Sequence, residues 1–139
     1  MNAAELDDDA LLQAVEGCTL PLDAWHHPEH IRIAWCLLRR HPFAEAMEHL
    51  RATIKRFNAH HQIPEAIDRG YHETLTRAYL VIIDSTMRHY GPESDSRAFI
   101  ARHPHLQRTL LRVFYSRERI MSLEAKQGFV EPDLAPLPR

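Results

Sequence analysis

Apolar residues recur at intervals of three and four through most of the chain, the spacing that gathers them on one face of an α-helix. Leu6, Ala10, Leu11, Ala14 and Val15 predict a first helix over 5–16, with Asp7 to Asp9 suited to its opening turn and Gly17 to its end. Leu20-Pro21-Leu22 cannot continue it and is expected to run extended to Asp23. Ile31, Ala34, Trp35 and Leu38 predict a second helix reaching Arg40, with Pro28 at its first position, His27 near the cap and His30 in the first turn. His41-Pro42 then repeats the same start device. Phe43, Ala46, Met47, Leu50, Ile54 and Phe57 give a third helix to about Asn58. Residues 59–70 hold Pro64 and Gly70, lack periodicity and read as a connection.

From Tyr71 to Tyr90 the pattern is helical again, with Leu75, Ala78, Tyr79, Ile82, Ile83 and Thr86 forming a face broad enough to make this helix central. Gly91-Pro92 ends it. Phe99 and Ile100 mark a short helix. Pro104 is expected to start another, containing Leu106, Leu110, Leu111, Val113 and Phe114. Ser116 and Ser122 read as N-caps of brief turns that Gly128 closes. Residues 129–139 interleave three prolines with apolar residues, predicting an extended tail laid on the surface. No strand-like alternation, repeat or linker is present. The expectation is an all-α, single-domain bundle of about five to seven helices spanning 1–139, with an acidic N-terminal helix within 1–19 and a Pro-rich tail at 129–139.

Composition adds little to that picture. With 139 residues, 45% hydrophobic and 26% charged, the chain is long enough to bury roughly 68% of its unfolded surface, so it needs neither metal nor disulfide merely to fold. Cys18 and Cys36 are too few and too far apart for a disulfide framework, which points to a reduced, cytoplasmic setting. The opening residues carry acids rather than a basic export signal. The longest apolar run, 78–83, is far below the ~20 residues of a membrane span. Charge is uneven: residues 1–31 carry seven acids and no Lys or Arg, leaving 17 basic against 12 acidic side chains beyond them. No nucleic-acid-binding motif accompanies that excess, so nucleic acid is not an expected partner. A symmetric homodimer is the default association.

Histidine changes the picture, with 11 copies. Trp25-His26-His27-Pro28-Glu29-His30 opens one helix and Tyr71-His72-Glu73-Thr74 opens another. Residues three apart are neighbours on a helix, so His27 and His30 are candidate ligands of one metal, and in a bundle His72 can join them. Neutral imidazole together with a carboxylate suits Fe, Zn or Mn. Glu73 is then the candidate fourth ligand or catalytic base, and Tyr71, Thr76 and Tyr79 are candidate hydrogen-bond supports for the ligands. The competing reading makes His27 a cap, His30 a core-edge histidine and Glu73 the i,i+4 partner of Arg77.

Two motif matches carry no weight. His26-His27-Pro28-Glu29-His30 satisfies H-x-x-E-H, but Pro28 leaves His26 outside the helix that device requires, and His72-Glu73-Thr74-Leu75-Thr76 is only half of H-E-x-x-H. The strings Trp25-x-His27-x-x-His30 and Tyr71-His72-Glu73-Thr74, with the closing Pro-rich stretch, resemble an uncharacterised family of small bacterial all-helical proteins over about residues 20–138. The resemblance implies that these strings belong together and brings no activity or cofactor. Their spacing is only loosely similar to that of the DinB-like helical metalloproteins. The sequence-level expectation is therefore a small cytoplasmic enzyme using a divalent transition metal on a small-molecule substrate, by oxidation with iron or hydrolysis with zinc. The alternative is a non-catalytic binding module whose histidines are structural.

Overall fold

A computed structural model describes residues 2–139, and these are all-helical. Seven α-helices occur among the described residues: α1 (Asp8–Glu16), α2 (His27–Arg40), α3 (Phe43–His60), α4 (Glu73–Tyr90), α5 (Ser96–Arg102), α6 (Arg117–Ile120) and α7 (Leu123–Gln127). Three 3₁₀ turns, Ala3–Glu5, Leu22–Ala24 and Leu110–Val113, join them. The apolar stripes meet in a single core in which Leu11, Ile33, Leu37, Phe57, Leu80 and Ile83 are fully buried.

Helix α2 is the hub and touches α1, α3, α4 and α5. Residues 31–37 are all buried, a run that includes Arg32 at 2% exposure. Helix α4 shares that central place, touching α2, α3, α7 and the Leu110–Val113 turn, as its broad apolar face predicts. Within the buried run of α2 the one charged residue is Arg32. Its guanidinium is enclosed and fully partnered. Nε donates to Ser96 Oγ at 2.7 Å, Nη1 to the Ala3 carbonyl at 2.9 Å and Nη2 to the Leu6 carbonyl at 2.7 Å. Asp8 lies 3.5 Å from Nη2 and also accepts from the Ser96 backbone N–H and hydroxyl. One arginine thus ties the N-terminal segment, α2 and α5 into one layer.

Several boundaries move for identifiable reasons. Helix α1 starts at Asp8 rather than at residue 5, because the Asp7 carboxylate caps the Ala10 N–H. At its end the left-handed residue is Cys18 (φ 59°), not Gly17. Leu22–Ala24 forms a 3₁₀ turn where extended chain was expected. His26 is the N-cap of α2 and Pro28 its second residue, so His27 is already helical. Helix α4 begins at Glu73 rather than Tyr71.

The largest correction concerns residues 104–114, expected to be helical from Pro104. They form irregular turns and the short Leu110–Val113 3₁₀ segment, with Val113 59% exposed. The carbonyl of Leu106, which a helix would need for its own ladder, accepts instead from the His27 ring, and that of Gln107 accepts from the Tyr79 hydroxyl. Side chains of two other helices hold this segment in place of the helix's own bonds.

The Ser116 and Ser122 hydroxyls cap α6 and α7. Residues 129–139 contain no helix, and they lie against the bundle: Val130 is 5% exposed, its N–H donates to Thr74 Oγ1 and its carbonyl accepts from the Tyr115 hydroxyl.

Removing the buried guanidinium while leaving its carbonyl partners enclosed costs about 3–5 kcal/mol. Urea denaturation of Arg32→Met tests this. A loss of that size is expected, and a loss within 1 kcal/mol would show that the N-terminal layer holds without it.

Candidate functional site

The starts of α2 and α4 face each other across a cavity of about 580 Å³, within the range of small-molecule sites. The two histidine strings thus meet at one cavity. His27, His30, His72, Tyr71, Thr76 and Tyr79 all line this space. Its walls are mainly apolar, supplied by Ile31 and Ala34 of α2, Leu50 and Ile54 of α3, and Leu80 and Ile83 of α4. The 61–72 connection closes one end through Ile63, Gly70 and Tyr71. Gly70 adopts the left-handed conformation there (φ 88°), which side-chain-bearing residues rarely take, and a Cβ would also meet the Glu65 carboxylate. That carboxylate is itself held by the Tyr71 N–H and by Lys126 Nζ.

What each imidazole can do follows from where its protons go. His72 is the N-cap of α4, and its Nδ1 accepts from the Leu75 N–H at 3.0 Å. The proton must then sit on Nε2, which donates to the Ile120 carbonyl at 2.9 Å. Both nitrogens are committed, so His72 has no lone pair to give a metal or a ligand. His27 Nε2 donates to the Leu106 carbonyl at 3.0 Å, which leaves Nδ1 as its unprotonated nitrogen. His30 Nδ1 donates to the His26 carbonyl at 2.8 Å, leaving the Nε2 lone pair without a protein partner among the described residues. The His30 ring stacks on Trp25 with centroids 3.8 Å apart.

All three rings are neutral near pH 7. Desolvation lowers the His30 pKa to about 4, outweighing the bond to the His26 carbonyl, which favours the charged form. Burial also lowers His27 and His72, each partly offset by its backbone carbonyl.

Glu73 departs from its expected role. It does not line the cavity; its carboxylate takes a two-point contact from Arg51, at 2.9 Å from Nε and 2.7 Å from Nη2, and a third bond from the Tyr71 hydroxyl at 2.6 Å. The Arg51 guanidinium holds its carboxyl below the usual range. The expected competitor, Arg77, lies instead over the rings of Phe43 and Phe129. His72 and Glu73 diverge because the helix begins between them: one caps it, the other is its first residue. Tyr71 accordingly supports Glu73, Thr76 Oγ1 donates to the His72 carbonyl, and Tyr79 secures residue 107.

Among the described residues no group of three or more His, Cys, Asp or Glu side chains is placed to hold a metal. A centre built from His27, His30 and His72 would require His72 to give up the cap of α4 and the tie to α6. Cys36 offers no reactive thiol, since it is buried and its pKa is pushed up to about 12 by desolvation.

Asn58 is a lining residue that the sequence reading passed over, taking it for the end of α3. It follows Leu50 and Ile54 at four-residue steps on the face that fills the cavity wall, and it is only 8% exposed. Its place on an apolar stripe was the available signal.

The His30 shift carries a pH dependence of stability. The folded-state pKa lies below the ordinary 6.5, so the unfolded chain takes up a proton first, and stability falls as pH drops from about 6.5 toward 4. From this group alone the loss between pH 7 and pH 5 is about 2 kcal/mol. Denaturation at the two pH values should show a shallower dependence in His30→Gln, and an unchanged slope would contradict the desolvated ring.

No protein family matches the chain, and no curated protein or solved structure is similar to it.

Proposed function

We propose that the protein binds a small, largely apolar organic molecule in the cavity between α2, α3 and α4, held by shape and neutral hydrogen-bonding groups. The observation that carries this reading is a roomy apolar cavity into which His30 presents an uncharged imidazole whose tautomer is fixed by the His26 carbonyl. Binding is favoured over acid–base catalysis on magnitude. An effective general base has a pKa near the working pH, whereas His30 lies about three units below neutral and is a hydrogen-bond acceptor with little pull on a proton. Glu73, fully engaged with Arg51 and Tyr71, supplies no replacement.

Quinoline is a suitable first probe, since its ten heavy atoms fit the volume with room to spare. At about 0.4 kcal/mol per heavy atom its Kd is roughly 1 mM. In amide-resolved NMR titration, shifts should cluster on His30, Leu50, Ile54 and Leu80, and Leu75→Trp should abolish them by filling the mouth. Leu75 lines the cavity and is 36% exposed, so the fold tolerates the larger ring. Shifts elsewhere, or none, would overturn the reading.

A metal-dependent reading has one specific support in reduced form: the unprotonated nitrogens of His27 and His30 belong to neighbouring residues of one cavity. Equilibrium dialysis against Zn²⁺ or Fe²⁺ separates the two. The binding proposal expects no stoichiometric metal in the wild type or in His30→Ala. One equivalent in the wild type, lost in His30→Ala, would establish a two-imidazole centre instead.

A further inference from the structure

We infer that the ligand of this cavity carries a lactam-type edge, a ring N–H beside a ring C=O on a planar heterocycle, and that Asn58 reads it. This rests on the proposal that the cavity binds a small molecule and names the class. Asn58 is 8% exposed and lines the cavity. Its backbone carbonyl accepts from the Ile63 N–H, but its side-chain carboxamide makes no hydrogen bond among the described residues.

An unpartnered carboxamide at the wall of a cavity is available to a ligand. Only two side-chain polar atoms among the described residues are sealed from solvent and unpartnered, Glu29 Oε2 and His61 Nε2. The Asn58 carboxamide is not one of them, so its polar atoms keep accessible surface, and the residue belongs to the cavity lining. It offers one acceptor, Oδ1, and one donor, Nδ2–H, side by side in a plane. The complement of that pair is again a donor beside an acceptor. A lactam supplies both, and the carboxamide is free to turn over to match either order.

The surroundings select among molecules with such an edge. Trp25 and Tyr71 are among the lining residues, and aromatic walls suit a flat partner. His27, His30 and His72 are all shifted toward the neutral form, so they provide no counter-charge for an anion. Arg108 is the one cationic side chain of the lining; it is exposed to solvent, at the border with a neighbouring cavity that it also lines. A carboxylic acid, ionised at pH 7, would lose the donor that pairs with Oδ1 and surrender its hydration among neutral groups. A neutral lactam makes both bonds at no such cost.

The test compares 1H-quinolin-2-one with its N-methyl derivative and with quinoline, by NMR titration of the full chain. The unsubstituted lactam should bind the wild type about tenfold to a hundredfold more tightly than the N-methyl compound, which lacks the donor. Asn58→Leu should remove that preference, bringing the lactam and its N-methyl derivative to equal affinity. The N-methyl comparison needs no variant, so it decides the matter even if Asn58→Leu does not fold. Quinoline binding in the cavity with no preference for the lactam would overturn this inference and leave the binding proposal standing. Failure of all three to bind would overturn both. Tighter binding of quinoline-2-carboxylate than of the lactam, lost in Arg108→Gln, would transfer recognition to Arg108.

Discussion

Buried polar atoms must be partnered, and that constraint decides what the three histidines of this cavity are for. A helix start leaves backbone N–H groups exposed and an irregular segment leaves carbonyls without a ladder. His72 meets both needs at once, capping α4 through one nitrogen and holding the Ile120 carbonyl through the other. His27 holds the Leu106 carbonyl in a stretch that cannot form its own helix. The two bonds of His72 leave it no lone pair for a three-histidine metal centre. His27 and His30 each spend one nitrogen, and the free Nε2 of the fully desolvated His30 defines the site's chemistry.

The same accounting separates the enclosed charges. Arg32 and Glu73 are held by complete sets of partners, and each fastens parts of the chain far apart in sequence: Arg32 joins the N-terminal segment to α5 through α2, and Glu73 joins α4 to α3 through Arg51. Neither faces the cavity as a reactive group. Asn58 does the opposite, placing a carboxamide with no hydrogen-bond partner among the described residues in the lining of an apolar cavity. A molecule in which structural polar groups are so fully partnered makes the open ones informative.

Much of this was legible in the sequence because it depends on local spacing. The apolar stripes of α2, α3 and α4 and the Ser116 and Ser122 caps follow from periodicity and capping chemistry alone. The convergence of the two histidine strings was also readable, since both open helices that enter one core. What could not be read is which long-range partner each side chain takes. Arg51 rather than Arg77 holds Glu73, and residues 104–114 lose their helix to the side chains of His27 and Tyr79. Such pairings are set by packing between segments more than twenty residues apart, and no local pattern encodes them. The burial of Arg32 is equally non-local: its partners lie in the N-terminal segment and in α5.

The central claim is that His72 is spent on the backbone while His30 keeps a free, uncharged nitrogen. Histidine side-chain ¹⁵N NMR at pH 5.5 tests it most directly, since ring-nitrogen shifts report protonation and tautomer separately. His30 should appear neutral with its proton on Nδ1, and His72, in its neutral form, should carry its proton on Nε2. A doubly protonated His30, or a His72 whose Nε2 carries no proton, would contradict it.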